Sequence, residues 1–287
     1  MTWTKSYNLL ELSYVDVAEY LKSQDLVVVP VGSCEKHGAH VPLGTDSLIT
    51  IGVVEGAAKK AGVLYAPLLP VGYSPHHMGE VGQGVGTLSF SVETFNRMLY
   101  EIGRCLIFHG FNKIVYATHH GSNTKIIDTF LRRLKYETGA LLAFYKTPTE
   151  RECNVVADII EGPPEETPGW HAGEIETAMI MAYNEDLVDM TRATQDRAHA
   201  PRWMGPAFSK KDGMGTVMFQ GSENIFVPME HHEYSDTATI GNPFRGSAEK
   251  GKKLFERGSS HLAAFLEEVK KIPAQVTNRD YPERVWS

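Results

Sequence analysis

Short apolar runs alternate with longer segments of helical periodicity in the first half of the chain. The run Asp25–Val31 is rich in β-branched residues and predicts a strand buried on both faces of a sheet. Three later runs have the same character: Val63–Val71, Lys113–Thr118 and Ala140–Tyr145. Between the runs, apolar residues recur at helical spacing and predict three helices: Asp46–Lys60, one that begins at Ser91 and ends before Gly110, and Lys125–Glu137.

This alternation of strands and helices predicts an α/β fold. Strands separated by helices form βαβ units, which give a mostly parallel sheet flanked by helices on both faces. In such folds ligands bind beyond the carboxyl ends of the strands. The loops that follow the predicted strands are therefore the first place to look for a functional site.

The second half of the sequence gives a weaker pattern. Glu161–Gly169 is an acidic, turn-rich stretch that we interpret as a surface loop. Trp170–Tyr183 predicts a helix, and Ser247–Lys271 predicts a long amphipathic helix interrupted at Gly258. Residues 197–246 are punctuated by glycine and proline, and no element can be assigned to them.

Composition is that of an ordinary globular protein, with 287 residues, 42% hydrophobic and 22% charged. A net charge of −7 without a long basic run argues against nucleic acid or an anionic membrane as a partner. Three widely spaced cysteines form no metal or disulfide motif, and neither a secretory signal nor a membrane span is evident. We therefore expect a cytoplasmic protein, and because no repeat or linker is visible, one domain over residues 1–287.

The histidines are concentrated in a few places. Seven of the twelve fall in four short segments: His37, His40, His76, His77, His119, His120 and His171. Three of the segments directly follow predicted strands that end near Val31, Val71 and Thr118. Because the carboxyl ends of neighbouring parallel strands meet at one edge of the sheet, these segments predict a shared site.

The first histidine segment, Gly32–Asp46, carries carboxylates as well as imidazoles. In extended backbone Glu35 and His37 point to the same side, and Asp46, at the start of the next helix, can fold back towards them. One imidazole with two carboxylates suits zinc, manganese or iron better than calcium. The alternative is an exposed polar loop without a metal.

Two further segments could complete such a site. In Thr118–Asn123 one histidine can add a metal ligand while Asn123 caps the helix or holds substrate, although capping and packing alone would also explain this segment. In Trp170–Thr177 a helix would place His171 and Glu174 on one face, and an exposed, charged helix start is the alternative.

These segments together resemble the motifs of the creatininase (creatinine amidohydrolase) family. The first motif is Pro30-Val-Gly-Ser-x-Glu-x-His-Gly-x-His-x-Pro-x-x-Thr-Asp46. The others are His120-Gly-Ser-Asn123, His171-Ala-Gly-Glu-x-Glu-Thr177, Pro70–His77 with Gly86-Thr87, and the closing Ile240–Pro243 and Ala248–Gly251. The likeness extends from about Val27 to Lys253, with several motifs in the same order.

The resemblance implies an αβα sandwich and a hydrolase with two divalent metal ions, with zinc as the first choice and manganese or iron as alternatives. By the same resemblance, Glu35, Asp46 and His120 hold one ion, while His37 and Asp46 hold the other. Where true creatininases carry a further glutamate ligand this sequence has Ser122, and we consider Glu176 the candidate for the missing carboxylate.

The resemblance also implies a reaction. Two ions bridged by Asp46 would generate hydroxide from a shared water, and His171, or Glu174 beside it, would donate a proton to the leaving group. Residues expected to contact substrate are Tyr73, Ser74, His77, Ser122, Asn123 and Trp170. Thr118-His119 replaces the family's Asn-Gly, which points to an altered substrate.

The leading hypothesis is therefore hydrolysis of an amide bond in a small, polar, cyclic molecule. Alternatives are ring opening of a cyclic, polyol-derived diketone by carbon–carbon hydrolysis, and a metal-binding protein without catalysis. A small-molecule substrate and a homo-oligomer, a hexamer in the family, are the expected partners.

Overall fold

A parallel four-stranded sheet forms the centre of the protein. The computed structural model describes residues 6–151 and 153–281. The strands are β1 (Leu26–Pro30), β2 (Leu64–Tyr65), β3 (Lys113–Thr118) and β4 (Leu141–Lys146). They are arranged in the order β2-β1-β3-β4, all parallel. Pro30 pairs with Ala117 and Thr118 with Lys146, so the loops that follow three of the strands begin side by side.

Helices cover both faces of this sheet. They are α1 (Tyr14–Tyr20), α2 (Thr45–Ala61), α3 (Val92–Phe108), α4 (Ile127–Thr138), α5 (Glu174–Tyr183), α6 (His231–Tyr234) and α7 (Ala248–Lys271). Within β1, Leu26 and Val28 pack towards α2, α5 and α7, whereas Val27 and Val29 pack towards α3 and α4. Alternate strand side chains thus enter two cores, which explains the continuous apolar run and confirms the predicted α/β fold.

Several predicted boundaries are confirmed. Gly62 follows α2 with a φ of 62°, the left-handed conformation that glycine adopts readily at a helix end. Ser91 caps α3 by accepting a hydrogen bond from the N–H of Thr94. Helix ends of this kind are specified by residues adjacent in the sequence, so contacts with distant segments do not shift them.

Other boundaries differ from the prediction. The run Val63–Val71 forms a strand only over β2, because Pro67 and Pro70 have no N–H to donate to a sheet. The helix predicted from Trp170 begins instead at Glu174, because Ala172 has a φ of 53° and interrupts the helical conformation.

The predicted interruption of the C-terminal helix at Gly258 was wrong. Helix α7 continues through this residue, which lies against α2, where an added Cβ would be 3.5 Å from Val53. Gly251 in the same helix approaches α5 so closely that a Cβ would lie 1.9 Å from the carbonyl oxygen of Ala178. Gly251 therefore permits close packing of α7 against α5.

The segment that gave no periodic pattern contains short elements. A small antiparallel sheet has the order β5-β6-β7, with strands Phe208–Ser209, Thr216–Phe219 and Ser222–Phe226. Strands this short cannot be recognised from alternation alone. The four-residue helix α6 follows and places His231 at the site described below. No helix in the described part of the chain combines the length and apolar character needed to cross a membrane.

Candidate metal centre

A cavity of about 290 Å³ opens at the carboxyl edge of the parallel sheet. The loops after β1 and β3, the start of α5 and the short α6 contribute its walls. Its lining includes most of the histidine segments identified from the sequence: Glu35, His37, Asp46, His76, His77, His119, His120, Ser122, Trp170, His171 and Glu176. The prediction that separate loops would converge on one site is therefore confirmed by the structure.

Asp46 lies between two groups of potential ligands. Oδ2 of Asp46 is 3.2 Å from Nδ1 of His120 and 3.6 Å from Nε2 of His37. On one side, His120 also faces Glu35, with Nε2 and Oε2 3.3 Å apart. On the other side, Nε2 of His37 is 3.5 Å from Oε2 of Glu176. Each set of three offers atoms within 4.8 Å of one another, and Asp46 belongs to both.

These side chains are buried together, which changes their proton affinities. Burial alone would raise the pKa of Asp46, but His37 and His120 outweigh it and hold the pKa below its ordinary value. Burial would lower the pKa of His120, yet Glu35 and Asp46 raise it to about 9. The pKa of Glu35 is raised, chiefly by burial. The site is therefore strongly attractive to positive charge.

Backbone carbonyl groups orient two of the imidazoles. Nδ1 of His37 is 3.1 Å from the carbonyl oxygen of Glu35, which leaves Nε2 facing Asp46. Nε2 of His171 is 2.6 Å from the carbonyl oxygen of Lys36, which leaves Nδ1 facing the cavity. A histidine that donates one N–H to a carbonyl group presents a lone pair on its other nitrogen, the form that binds metals.

Glu176 is held in place from two directions. Its Oε2 accepts a hydrogen bond of 2.6 Å from the N–H of Ala172, and its Oε1 is 3.1 Å from Nε2 of His119. Nδ1 of His119 is in turn 2.6 Å from the hydroxyl of Thr147. The positive φ of Ala172 turns its N–H towards the glutamate, so the irregular start of α5 serves the site.

The structure corrects the prediction that Glu174 donates a proton in this site. Glu174 is fully buried and accepts hydrogen bonds from the N–H groups of Glu161 and Gly162 and from Nζ of Lys250. Residues two apart on a helix point in nearly opposite directions, so Glu176 faces the cavity and Glu174 faces away. The prediction assumed that the helix already includes His171, which it does not.

The six residues predicted to contact substrate divide into two groups. His77, Ser122 and Trp170 line the cavity. Tyr73, Ser74 and Asn123 do not, which corrects the prediction for these three. Nδ2 of Asn123 donates to the carbonyl oxygen of Gly32 and to the hydroxyl of Thr118, and Oδ1 accepts from the N–H of Tyr73. Asn123 thus ties the three loops together.

Tyr73 and Ser74 both contact His120. Nε2 of His120 is 3.1 Å from the carbonyl oxygen of Tyr73 and 3.1 Å from the hydroxyl of Ser74. The Ser74 hydroxyl also contacts that of Ser33, which donates to Glu35. These contacts fix the orientation of two potential ligands.

His231 was missed by the sequence analysis. It is 2% exposed, and its ring centroid lies 4.4 Å from that of His77 and 4.7 Å from that of His171. Burial holds the pKa of each of these three imidazoles well below its ordinary value, so they are neutral. The pair His231-His232 was the available signal, but it stood in a segment without readable periodicity.

A parallel sheet with carboxylates and imidazoles gathered around one aspartate at its carboxyl edge defines a metal-dependent hydrolase of the α/β class. Comparison with known proteins agrees with this class. The chain belongs to the creatininase family, because the family's sequence profile, described as creatinine amidohydrolase, matches residues 10–266.

Curated relatives include enzymes that act on different molecules. Creatinine amidohydrolase from Pseudomonas putida is 30% identical over 215 residues, covering 71% of this chain and 80% of the relative. The 3-dehydro-scyllo-inosose hydrolase of Thermotoga maritima is 31% identical over 171 residues, covering 58% of this chain and 52% of the relative. A mycofactocin precursor peptide peptidase from Mycobacterium tuberculosis is 24% identical over 255 residues, covering 85% and 86%.

Solved creatininase structures share the fold over nearly their whole length. A creatininase described with manganese has a TM-score of 0.70 and 25% identity, covering 93% of this chain and 99% of the other. A creatininase variant described as the Zn-Zn type has a TM-score of 0.68 and 26% identity, with the same coverage. Creatininases thus carry manganese or zinc, and this chain has groups of side chains able to hold metal ions.

Proposed function

We propose that the protein hydrolyses an amide bond in a small, polar, cyclic molecule with the aid of two divalent cations. The observation that carries this proposal is the position of Asp46, which belongs to both groups of three ligands. A carboxylate with two oxygens can bridge two ions, as in other two-metal hydrolytic sites. Glu35 and His120 would complete one group, and His37 and Glu176 the other.

The residues present fit such ions. Imidazole with carboxylate is a donor set suited to zinc, manganese or iron. Within residues 6–151 and 153–281, the buried Oδ2 of Asp46 receives no well-aligned hydrogen bond, although Nδ1 of His120 lies 3.2 Å away, so this oxygen is available to a cation. Bound ions would activate water and polarise the scissile carbonyl group. Glu176 supplies the carboxylate that Ser122, with its short hydroxyl side chain, does not.

His171 is our candidate for moving the proton. The carbonyl oxygen of Lys36 holds its Nε2, and Nδ1 is 3.8 Å from Oε1 of Glu35 at the edge of the ligand group. In this position Nδ1 can accept a proton from the attacking water and deliver it to the leaving nitrogen. Glu174 has no part in this step, because its carboxylate binds Lys250 on the far side of α5.

The cavity lining supports a polar substrate of limited size. His77 and Ser122 offer hydrogen bonds at one wall, and Trp170 offers an aromatic face. Lys125, Lys146, Glu150 and Arg151 also line the cavity, so charged side chains contribute to its wall alongside the apolar Met214 and Ile240. A cavity of about 290 Å³ is suited to a single ring with small substituents.

Ring opening of a cyclic, polyol-derived diketone is the second candidate. It is favoured by the likeness to the inosose hydrolase and by a lining with many hydrogen-bonding groups. The experiment that separates the candidates is a turnover assay of the zinc- or manganese-loaded protein on matched panels of lactams, formamides and cyclic diketones. Formation of an amino acid from a lactam, or release of formate from a formamide, supports amide hydrolysis, whereas opening of the diketone alone supports the second candidate.

Membership in a family of hydrolases favours an enzyme over a metal-binding protein without catalysis. The hexamer implied by the family resemblance stays a prediction, which light scattering on the purified protein would test. The cytoplasmic location likewise stays a prediction.

A further inference from the structure

Three imidazoles form a second cluster beside the groups that share Asp46. His77 follows β2, His171 precedes α5, and His231 begins α6, so three separate segments bring them together. One ring nitrogen of each lies within 4.8 Å of a ring nitrogen of the other two. We call these residues the histidine trio.

Some ring nitrogens of the trio are buried and lack a hydrogen-bond partner among the described residues. Across the described ranges 6–151 and 153–281, both ring nitrogens of His231 and Nδ1 of His77 are buried without a hydrogen-bond partner. His231 is 2% exposed and His77 5% exposed. A buried imidazole with neither nitrogen paired is costly, which points to a ligand that contacts one nitrogen of His231 and one of His77.

His171 shows which kind of ligand fits. Its Nε2 lies against the carbonyl oxygen of Lys36, so Nδ1 presents a lone pair to the trio. A carboxylate lies beside the trio, since Oε1 of Glu35 is 3.4 Å from Nε2 of His77 and 3.8 Å from Nδ1 of His171. Lone pairs beside a negative charge attract a cation and repel an anion.

We propose that the histidine trio binds a third divalent cation of the zinc type. Three neutral imidazoles with an open fourth position form a donor set that zinc accepts. The carboxylates of Glu35, Asp46 and Glu176 already balance the charge of the proposed pair, and none of them belongs to the trio. The third ion therefore binds more weakly than the pair and occupies the trio only when zinc is in excess.

A cation bound to the trio would affect proton transfer by His171, an effect that rests on the proposed function. Nδ1 of His171, which we propose moves the proton, is also the atom that would bind the third ion. A lone pair that binds zinc cannot accept a proton. Excess zinc therefore inhibits turnover, because His171 can no longer transfer the proton.

The metal content of the protein tests the site without any substrate. Metal-free protein is titrated with zinc in the presence of a competing chelator, and bound zinc is counted by elemental analysis. We expect two tight equivalents and one weaker equivalent, and we expect His231→Ala to lose the weaker one. His232→Ala, which alters the next histidine of α6 outside the trio, is the matched control and should keep all three.

A second variant and the absorption spectrum of bound cobalt distinguish loss of the site from misfolding. His77→Ala should remove the same equivalent, and the cobalt-loaded protein should lose the absorption of its weakest site in both variants while circular dichroism stays unchanged. If the wild type binds only two equivalents, or if His231→Ala and His77→Ala both keep three, the proposal is overturned.

The outcome separates this proposal from the proposed function. Asp46→Asn should weaken the tight pair and leave the trio equivalent in place. Protein that binds three equivalents yet hydrolyses no amide or diketone supports the trio and contradicts the function. Where activity is found, its loss at excess zinc should be at least tenfold smaller in His231→Ala than in the His232→Ala control, and equal inhibition would contradict the role given to His171.

Discussion

Nε2 of His119 lies 3.1 Å from Oε1 of Glu176, and both side chains are buried. Nδ1 of the same ring contacts the hydroxyl of Thr147 at the end of β4, so a chain of two contacts connects the sheet to the carboxylate. His119 stands where the family resemblance places a glycine, and Glu176 is the carboxylate that we propose takes the place of the one absent at Ser122. The two differences from the family motif, at His119 and at Ser122, are thus structurally linked.

This link predicts that His119 positions Glu176 for the metal next to His37. In His119→Ala the carboxylate loses one of its two supports, and we expect metal affinity in that position to fall about 10- to 100-fold. Thr147→Val keeps the imidazole but removes its tether and should give a smaller loss. Chelator competition measures both effects, and His119→Gln, which retains a donor, should restore part of the affinity. Equal affinity in wild type and His119→Ala would contradict the positioning role.

Asp46 is predicted to be essential for both ions. Asp46→Asn keeps the shape of the side chain but removes the charge that balances His37 and His120, so we expect binding of the pair to weaken and turnover to fall by at least 100-fold. Elemental analysis and turnover assays measure these effects. Asp128→Asn, an exposed aspartate on α4 paired with Arg132, is the control. Full activity in Asp46→Asn would refute the bridging role.

The sequence predicted the convergence of this site better than its details. Glu35, His37 and His120 follow buried strands, and the parallel sheet brings the ends of such strands together. The direction of Glu174 was not predictable, because it depends on the irregular backbone at Ala172, which no periodicity reveals. His231 reaches the cavity from a four-residue helix that follows a segment without a pattern.

Glu174 is predicted to stabilise the fold without taking part in catalysis. Its carboxylate and the ammonium of Lys250 form a buried ion pair of 2.6 Å, and two backbone N–H groups also donate to it. Glu174→Gln removes the charge that Lys250 pairs with inside the protein, while Nζ of Lys250 keeps Oε1 of Glu161 at 3.1 Å and the carbonyl oxygen of Arg245 at 2.7 Å. The loss of one charge-assisted contact should lower the free energy of unfolding by about 1–3 kcal/mol. Urea denaturation measures this loss.

The pH profile of turnover distinguishes this role from proton transfer. If Glu174 only supports the fold, the folded Glu174→Gln variant should keep the wild-type profile at a temperature well below its unfolding midpoint. A lost or shifted acidic or basic limb would show that the carboxylate takes part in the reaction after all.

The core of the fold was read correctly from the sequence, but helix packing was not. The β-branched run in β1 has apolar residues on both faces, which specifies a strand between two layers. Gly258 was interpreted as a break because glycine weakens isolated helices. Contacts with α2 keep α7 continuous there, and such contacts between distant segments cannot be read from local sequence.

The two glycines of α7 therefore predict opposite effects of the same substitution. An added Cβ at Gly251 would lie 1.9 Å from the carbonyl oxygen of Ala178, so Gly251→Ala must push α5 and α7 apart. We expect it to lower the free energy of unfolding by about 1–3 kcal/mol.

At Gly258 the nearest atom to a Cβ is 3.5 Å away, an ordinary contact with Val53. Gly258→Ala should therefore raise stability by up to about 1 kcal/mol, because alanine favours the helix. Urea unfolding curves of the two variants, measured side by side with the wild type, check both signs. Equal destabilisation by both substitutions would contradict the space inferred at Gly258 and show that α2 leaves no room for a side chain there.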